Sequence, residues 1–169
     1  MIALLALASV GWTQEAKPSC DASLWRFVHN PSRLSTKDDC RTVVGTIKDF
    51  KPEPDGDYHI RFIPDDKTLV NGKNNNEQGG ALVAEPICQN TPTRRDAIQA
   101  CQGYSGPKFS MGQFCPGAPK NTRAPAKGKG GRTYTCKNPP RVQITGFYTI
   151  DSGRGWMELH PVSKIELVH

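Results

Sequence analysis

Two short stretches carry the side chains best suited to chemistry. Asp57-Tyr58-His59 and Glu158-Leu159-His160 each set an acid and an imidazole on either side of an apolar residue. Side chains on a strand repeat every two residues, so the members of each pair share a face. Imidazole nitrogens and carboxylate oxygens are ligands for zinc, manganese or iron, and a metal-bound water gives a hydrolase its nucleophile at neutral pH. Asp57, His59, Glu158 and His160 are therefore candidate ligands for a divalent transition metal, in a hydrolase of the nuclease or phosphodiesterase type. The same alternation also arises when a strand turns charged groups to water, and neither pair has the spacing of a known metal motif.

Other chemistries are absent from the pattern. There is no Gly-x-Ser-x-Gly turn to expose a nucleophilic serine, and Gly128-Lys129-Gly130-Gly131 lacks the Gly-Lys-Ser/Thr ending that cradles a nucleotide phosphate. The six cysteines, Cys20, Cys40, Cys88, Cys101, Cys115 and Cys136, include no C-x2-C pair and no histidine at zinc-finger spacing. An even set in this arrangement reads as three disulfides. Six cysteines permit fifteen pairings, and nearest-neighbour pairing (Cys20 with Cys40, Cys88 with Cys101, Cys115 with Cys136) is the expectation.

Charge points to a second function. The chain carries a formal +6, yet Ala97 to Ile150 holds eight Lys or Arg and no Asp or Glu. A positive segment on a near-neutral body concentrates polyanions such as nucleic acid, anionic glycans or surface polymers. Lys108, Lys120, Arg123, Lys127, Lys129 and Arg132 are the expected phosphate or sulfate contacts. Trp156 is the expected stacking platform, with Tyr58, Phe147 and Tyr104 as further aromatic candidates. The leading expectation is a binding module for an anionic partner. A metal-dependent hydrolase and a subunit of an extracellular assembly are the alternatives, and the sequence does not fix the oligomeric state.

These residues need a frame. Arg41 to Phe50 is a β-branched run ended by Lys51-Pro52-Glu53-Pro54-Asp55-Gly56, and Tyr58 to Ile63 alternates after it, which predicts a hairpin. By parity Tyr58, Ile60 and Phe62 point inward while Asp57, His59 and Arg61 point outward. Asn71 to Gly80 has the composition of an exposed loop, and Ala81 to Glu85 of a third strand. Thr93-Arg94-Arg95-Asp96 has capping-box spacing before a short helix. Residues 102 to 140 are Gly- and Pro-rich without periodicity, a long basic loop tethered by cysteines. Arg141 to Ile150 and Trp156 to His160 form a second predicted hairpin, with Met157 and Leu159 inward and Trp156, Glu158 and His160 outward.

Three strands, a short helix and two strands is the order of a five-stranded OB barrel, and Gly45 and Gly146 suit the bends such a barrel needs. An open antiparallel sheet or a β-sandwich is the rival architecture. Leu24 to Val28 is expected to pack against the sheet as a short helix or strand. The apolar run Met1 to Val10, followed by small residues, reads as an export signal over residues 1 to 14. The plan is then an N-terminal extension over 15 to 39 and an OB-like domain over 40 to 169. No later apolar run is long enough to span a bilayer, so the expectation is a secreted or periplasmic protein.

Asp55-Gly56-Asp57-Tyr58-His59-Ile60, Gly79-Gly80-Ala81-Leu82-Val83-Ala84-Glu85 and Gly155-Trp156-Met157-Glu158-Leu159-His160-Pro161-Val162 resemble a group of exported microbial proteins with an OB-like domain and the motifs D-G-D-x-H-I and H-G-W-x-E-I-H-P. The resemblance covers about residues 40 to 90 and 141 to 165 and leaves the basic segment aside. It implies an OB-like fold and export rather than a particular reaction. This chain departs from the pattern at Arg154, where the motif has a histidine.

Overall fold

The β-branched run around Val43 and Val44 grows into the longest element, β1, which spans Leu34–Pro52. The computed structural model describes residues 18–119, 122–125 and 131–168; the apolar run Met1 to Val10, expected as an export signal, lies outside them. β1 begins within the expected N-terminal extension and changes partner along its length. Its first part pairs antiparallel with β5 (Arg141–Asp151), and Gly45 to Pro52 pairs antiparallel with β2 (Tyr58–Pro64). Gly45 stands at the handover, opposite both Val142 and Pro64. A Cβ there would lie 2.1 Å from the Ile63 carbonyl oxygen and 2.9 Å from the Phe62 ring, so only glycine lets the two strands approach.

β2 pairs antiparallel with β3 (Leu82–Ala84), β3 runs parallel to β6 (Met157–Leu167), and β6 returns antiparallel to β5. A two-residue β4 (Tyr134–Thr135) joins β1 at Asp49 and Phe50. The chain is thus mainly β: one six-stranded sheet in the order β2-β3-β6-β5-β1-β4, with β1 also paired to β2. All four predicted long strand segments form. β6, however, does not stop at Pro161. The register slips between Gly146↔Val162 and Tyr148↔Leu159, placing His160 and Pro161 opposite Phe147 alone, and this bulge lets a proline pass through the strand.

One face of the sheet holds the apolar core. Ile47, Phe50, Ile60, Phe62, Leu82 and Leu159 are fully buried there. The other face is covered by the N-terminal segment. Asp21 caps a 3-10 turn at Ala22–Phe27 by accepting from the Ser23 amide at 2.9 Å. Leu24, Phe27 and Val28 then pack on Ile87 and Cys88, while Trp25 meets Phe147 edge-on at 5.3 Å. Disulfides join Cys20 to Cys40, Cys88 to Cys101 and Cys115 to Cys136, in the expected nearest-neighbour order. No helix among the described residues is long and apolar enough to cross a membrane.

Three local expectations need correction. The Asn-rich stretch expected as an exposed loop forms helix α1 (Gly72–Glu77), with a capping box between Asn71 and Asn74. Asn74 is buried, donates to the carbonyls of Ala81 and Met157, and accepts from the Met157 amide. The Thr93 capping box does not form. Thr93 donates its hydroxyl to the Pro125 carbonyl at 2.6 Å, and α2 (Arg95–Ile98) starts from Arg94 without a side-chain cap.

The basic segment, in turn, is more than a tethered loop. It contributes α3 (Met111–Phe114) and β4, buries Met111 and Phe114 in the apolar core, and stacks Tyr134 on Phe50 at 5.3 Å.

Candidate functional site

The registers of three strands bring the polar residues together. Ile60 faces Ala84 across the β2–β3 pair, so His59 stands opposite Glu85, one residue further along. Ala84 lies beside Leu159 in the parallel β3–β6 pair, so Glu85 lies beside His160. The Glu85 carboxylate consequently joins both imidazoles. His59 Nδ1 is 3.2 Å from Oε1, and His160 Nδ1 is 2.8 Å from Oε2.

Each ring has a further partner. His160 Nδ1 donates to Glu158 Oε1 at 3.2 Å, and His59 Nε2 meets Gln78 Oε1 at 3.2 Å. His160 Nε2 is buried and has no hydrogen-bond partner among the described residues.

Arg33 closes the cluster from the covering segment. Its guanidinium pairs with Asp151, reaches Glu85 Oε2 at 3.5 Å and lies 3.7 Å from Glu158 Oε1. Trp156 Nε1 donates to Glu158 Oε2 at 3.1 Å.

The electrostatics follow from burial and pairing. Burial alone favours a neutral His160, but the charge of Glu85 and the contact with Glu158 outweigh it and raise its pKa to about 10. Burial likewise opposes the Glu85 carboxylate, yet His160 and His59 hold it well below the usual carboxylate range. Burial raises Glu158, and the neighbouring Glu85 charge adds to that. Asp57 is pushed well above its ordinary value by burial and by Asp55.

Beside this cluster opens a cleft of about 600 Å³. Its walls come from β1 (Asp49, Lys51), the β1–β2 loop (Glu53, Asp55), β2 (His59, Arg61) and the β5–β6 turn (Gly153, Arg154), with Arg33 and Trp156 at the cluster side. Cations and acids alternate around it, but not at equal depth. Arg61 is 30% exposed over an Asp49 that is 5% exposed, and Arg33 is 23% exposed over an Asp151 that is 6% exposed. Arg154 lies over the Trp156 ring at 5.6 Å, and the His59 ring meets Trp156 edge-on at 5.8 Å.

The candidate metal ligands are distributed as follows. His59 reaches the cleft, whereas Glu158 and His160 are wholly buried beneath the N-terminal segment rather than facing outward. Asp57 is also buried, not outward, and accepts from the Cys88 amide at 2.6 Å. Asp57, Glu85 and His160 present ligand atoms within 4.8 Å of one another, and so do Glu53, His59 and Glu85. The parity that placed Glu158 and His160 outside was right about their common side of the sheet. What it missed is that the N-terminal segment makes that side a second interior.

The polyanion candidates fare unevenly. Lys108 is committed to the Cys88 carbonyl, and its ammonium lies over Tyr104 at 5.0 Å. Arg123 and Arg132 are exposed. Lys120, Lys127 and Lys129 lie outside the described residues.

Trp156 is 9% exposed, with only its cleft edge available. Tyr58, Phe147 and Tyr104 are packing residues, not platforms. Tyr58 is buried with its hydroxyl 2.6 Å from Thr122, Phe147 packs on Trp25, and Tyr104 meets Phe27 edge-on at 5.0 Å.

Glu85 and Arg33 were not singled out from the sequence. The available signal for Glu85 was a lone acid closing the apolar strand Ala81-Leu82-Val83-Ala84. Arg33 carried none, since its partners lie on distant strands. No protein-family model, no curated protein and no solved structure matches this chain.

Proposed function

We propose that the protein is an exported OB-type binding module whose cleft takes an anionic chain bearing phosphate, sulfate or carboxylate groups. The pairing of β1 with both β2 and β5, together with the parallel β3–β6 pair, supports a five-stranded closed sheet of OB type with β4 added. OB proteins use the side of their second and third strands with the first and last interstrand loops to hold oligonucleotides or oligosaccharides. On this reading the cleft between the β1–β2 loop, β2 and the β5–β6 turn is the counterpart of that surface. Three disulfides and the apolar leader support export.

The carrying observation is the layering of charge. In the Arg61–Asp49, Arg33–Asp151 and Lys51–Glu53 pairs the cation is the more exposed partner, so the accessible wall is positive although the charges are balanced in number. Arg154 and Trp156 add a further cation and an aromatic edge to the lining. Thr133 lines the cleft, and the exposed Arg132 directly precedes it in the chain.

The test is binding of labelled single-stranded oligonucleotide and of a heparin-like polymer at low salt. Binding is expected to weaken steeply as salt is added, and Arg61→Ala and Arg154→Ala are each expected to weaken it and to lower the salt slope by about one. Binding to neither polymer, or binding indifferent to salt and to both substitutions, would overturn the proposal.

A further inference from the structure

We infer that Glu53, His59 and Glu85 form a binding site for a divalent transition metal, with zinc the best match to their donors. The inference stands apart from the anion-binding reading, since it rests on three ligand atoms and needs no polymer. One oxygen from each carboxylate and one imidazole nitrogen lie within 4.8 Å of one another. They come from three different elements: the β1–β2 loop, β2, and the residue following β3. Tetrahedral zinc, with bonds of about 2.0–2.2 Å, places its ligand atoms roughly 3.4 Å apart. The contraction required is about an ångström, and it falls on Glu53, the most exposed of the three carboxylate and imidazole side chains.

A second observation concerns the far side of the His59 ring. Its Nε2 meets the side-chain oxygen of Gln78, a buried residue at the end of α1. Gln78 Oε1 can only accept, so Nε2 carries the hydrogen, and Nδ1 is the nitrogen directed at Glu85. An Nδ1 lone pair 3.2 Å from a carboxylate oxygen requires a positive species between them, either a proton or a metal ion. A metal ion also draws in Glu53, whose present partner is the ammonium of Lys51 at 2.8 Å. Fixing the outer nitrogen of a ligating histidine through a buried acceptor is how metal sites hold ring and tautomer. All three residues line the cleft, so a bound ion keeps an open position toward whatever enters it.

The experiment uses the full chain, stripped with chelator, in buffer without polyanion. Titration with zinc by calorimetry is expected to give one saturable site per chain. Cobalt(II) in its place is expected to give the visible absorption of a four- or five-coordinate ion. Glu53→Gln and His59→Ala should each weaken zinc binding by about tenfold or more, and Gln78→Ala by a smaller factor at unchanged stoichiometry. Glu77→Gln, an exposed acid outside the cleft, should bind zinc like the parent. Glu53 is on a loop and partly exposed, so its variant keeps the test sound if His59→Ala fails to fold. No saturable binding, or binding that survives Glu53→Gln and His59→Ala unchanged, would overturn the inference. Either outcome leaves the polyanion measurement to be judged on its own.

Discussion

On one face of the sheet Phe62, Ile60 and Leu159 are buried against aliphatic and aromatic neighbours; on the other, Glu85, His160 and Glu158 are buried as deeply against one another and Arg33. The apolar side is held by area removed from water, which has no direction and tolerates exchange of one hydrocarbon shape for another. The polar side is held by matched charges that would each be costly alone. Two interiors of similar depth should therefore respond differently to the same kind of substitution. The apolar one should answer to volume and the polar one to the loss of any partner.

The largest effects come from removing a member outright. Phe62→Ala should cost about 3–5 kcal/mol through the cavity it leaves. Glu85→Ala should cost a similar 3–5 kcal/mol by stranding the buried His160 charge. Denaturant unfolding of each variant measures both. The conservative replacements separate the two interiors. Phe62→Leu should cost about 1.5 kcal/mol or less, whereas Glu85→Gln, equal in shape, should keep most of the damage of the alanine variant. Equal mildness of these two substitutions would break the comparison.

Next in size is the response to pH, which only the polar interior should show. The folded pKa of His160, about 10, lies above the ordinary 6.5, so its contribution is complete below pH 6.5 and is lost as pH rises toward 10. Asp57 and Glu158, both raised by burial, act in the same direction, since each must release a proton inside the fold as pH rises. Glu85, held below its ordinary 4.5, limits the acid side: its contribution is present above 4.5 and fades as pH falls through its depressed folded value. The unfolding midpoint should therefore decline between pH 7 and 10, and His160→Gln should reduce that slope while Phe62→Leu leaves it intact. A midpoint flat across this range would argue that the cluster is neutral. The smallest effect is expected outside both interiors, at the exposed Lys73–Glu77 pair on α1, where Lys73→Ala should cost about 0.5 kcal/mol or less.

The apolar interior was the more legible in sequence. Alternation at Tyr58, Ile60 and Phe62 and again at Met157 and Leu159 marks strands and their inward sides without knowledge of neighbours. The polar interior is legible only in part, because its partners are set by pairing between distant strands. His59 and His160 stood out by type, but Glu85 became their common partner only through the β2–β3 and β3–β6 registers. The continuation of β6 past Pro161 depends on a bulge against Phe147, which no local pattern announces. Helix α1 was hidden by its composition. Asn-rich stretches read as turns, and this one is helical in a setting where Asn74 finds buried partners at Ala81 and Met157. In the basic segment, Met111 and Phe114 form an anchor too short to show periodicity among glycines and prolines.

The double allegiance of β1 also bears on the order of assembly. Its second half can pair with β2 as soon as a short turn has been made, whereas Arg41 must wait for Gly146, near the other end of the chain. Closing so distant a contact is slow compared with forming a hairpin. Until β5 and β6 have been made, the first half of β1 lacks its mate, and the carboxylates meant for Arg33 include two, Asp151 and Glu158, that do not yet exist on a growing chain. A nascent chain built this way keeps Arg33 and the first half of β1 without their partners until the β5–β6 hairpin has been made.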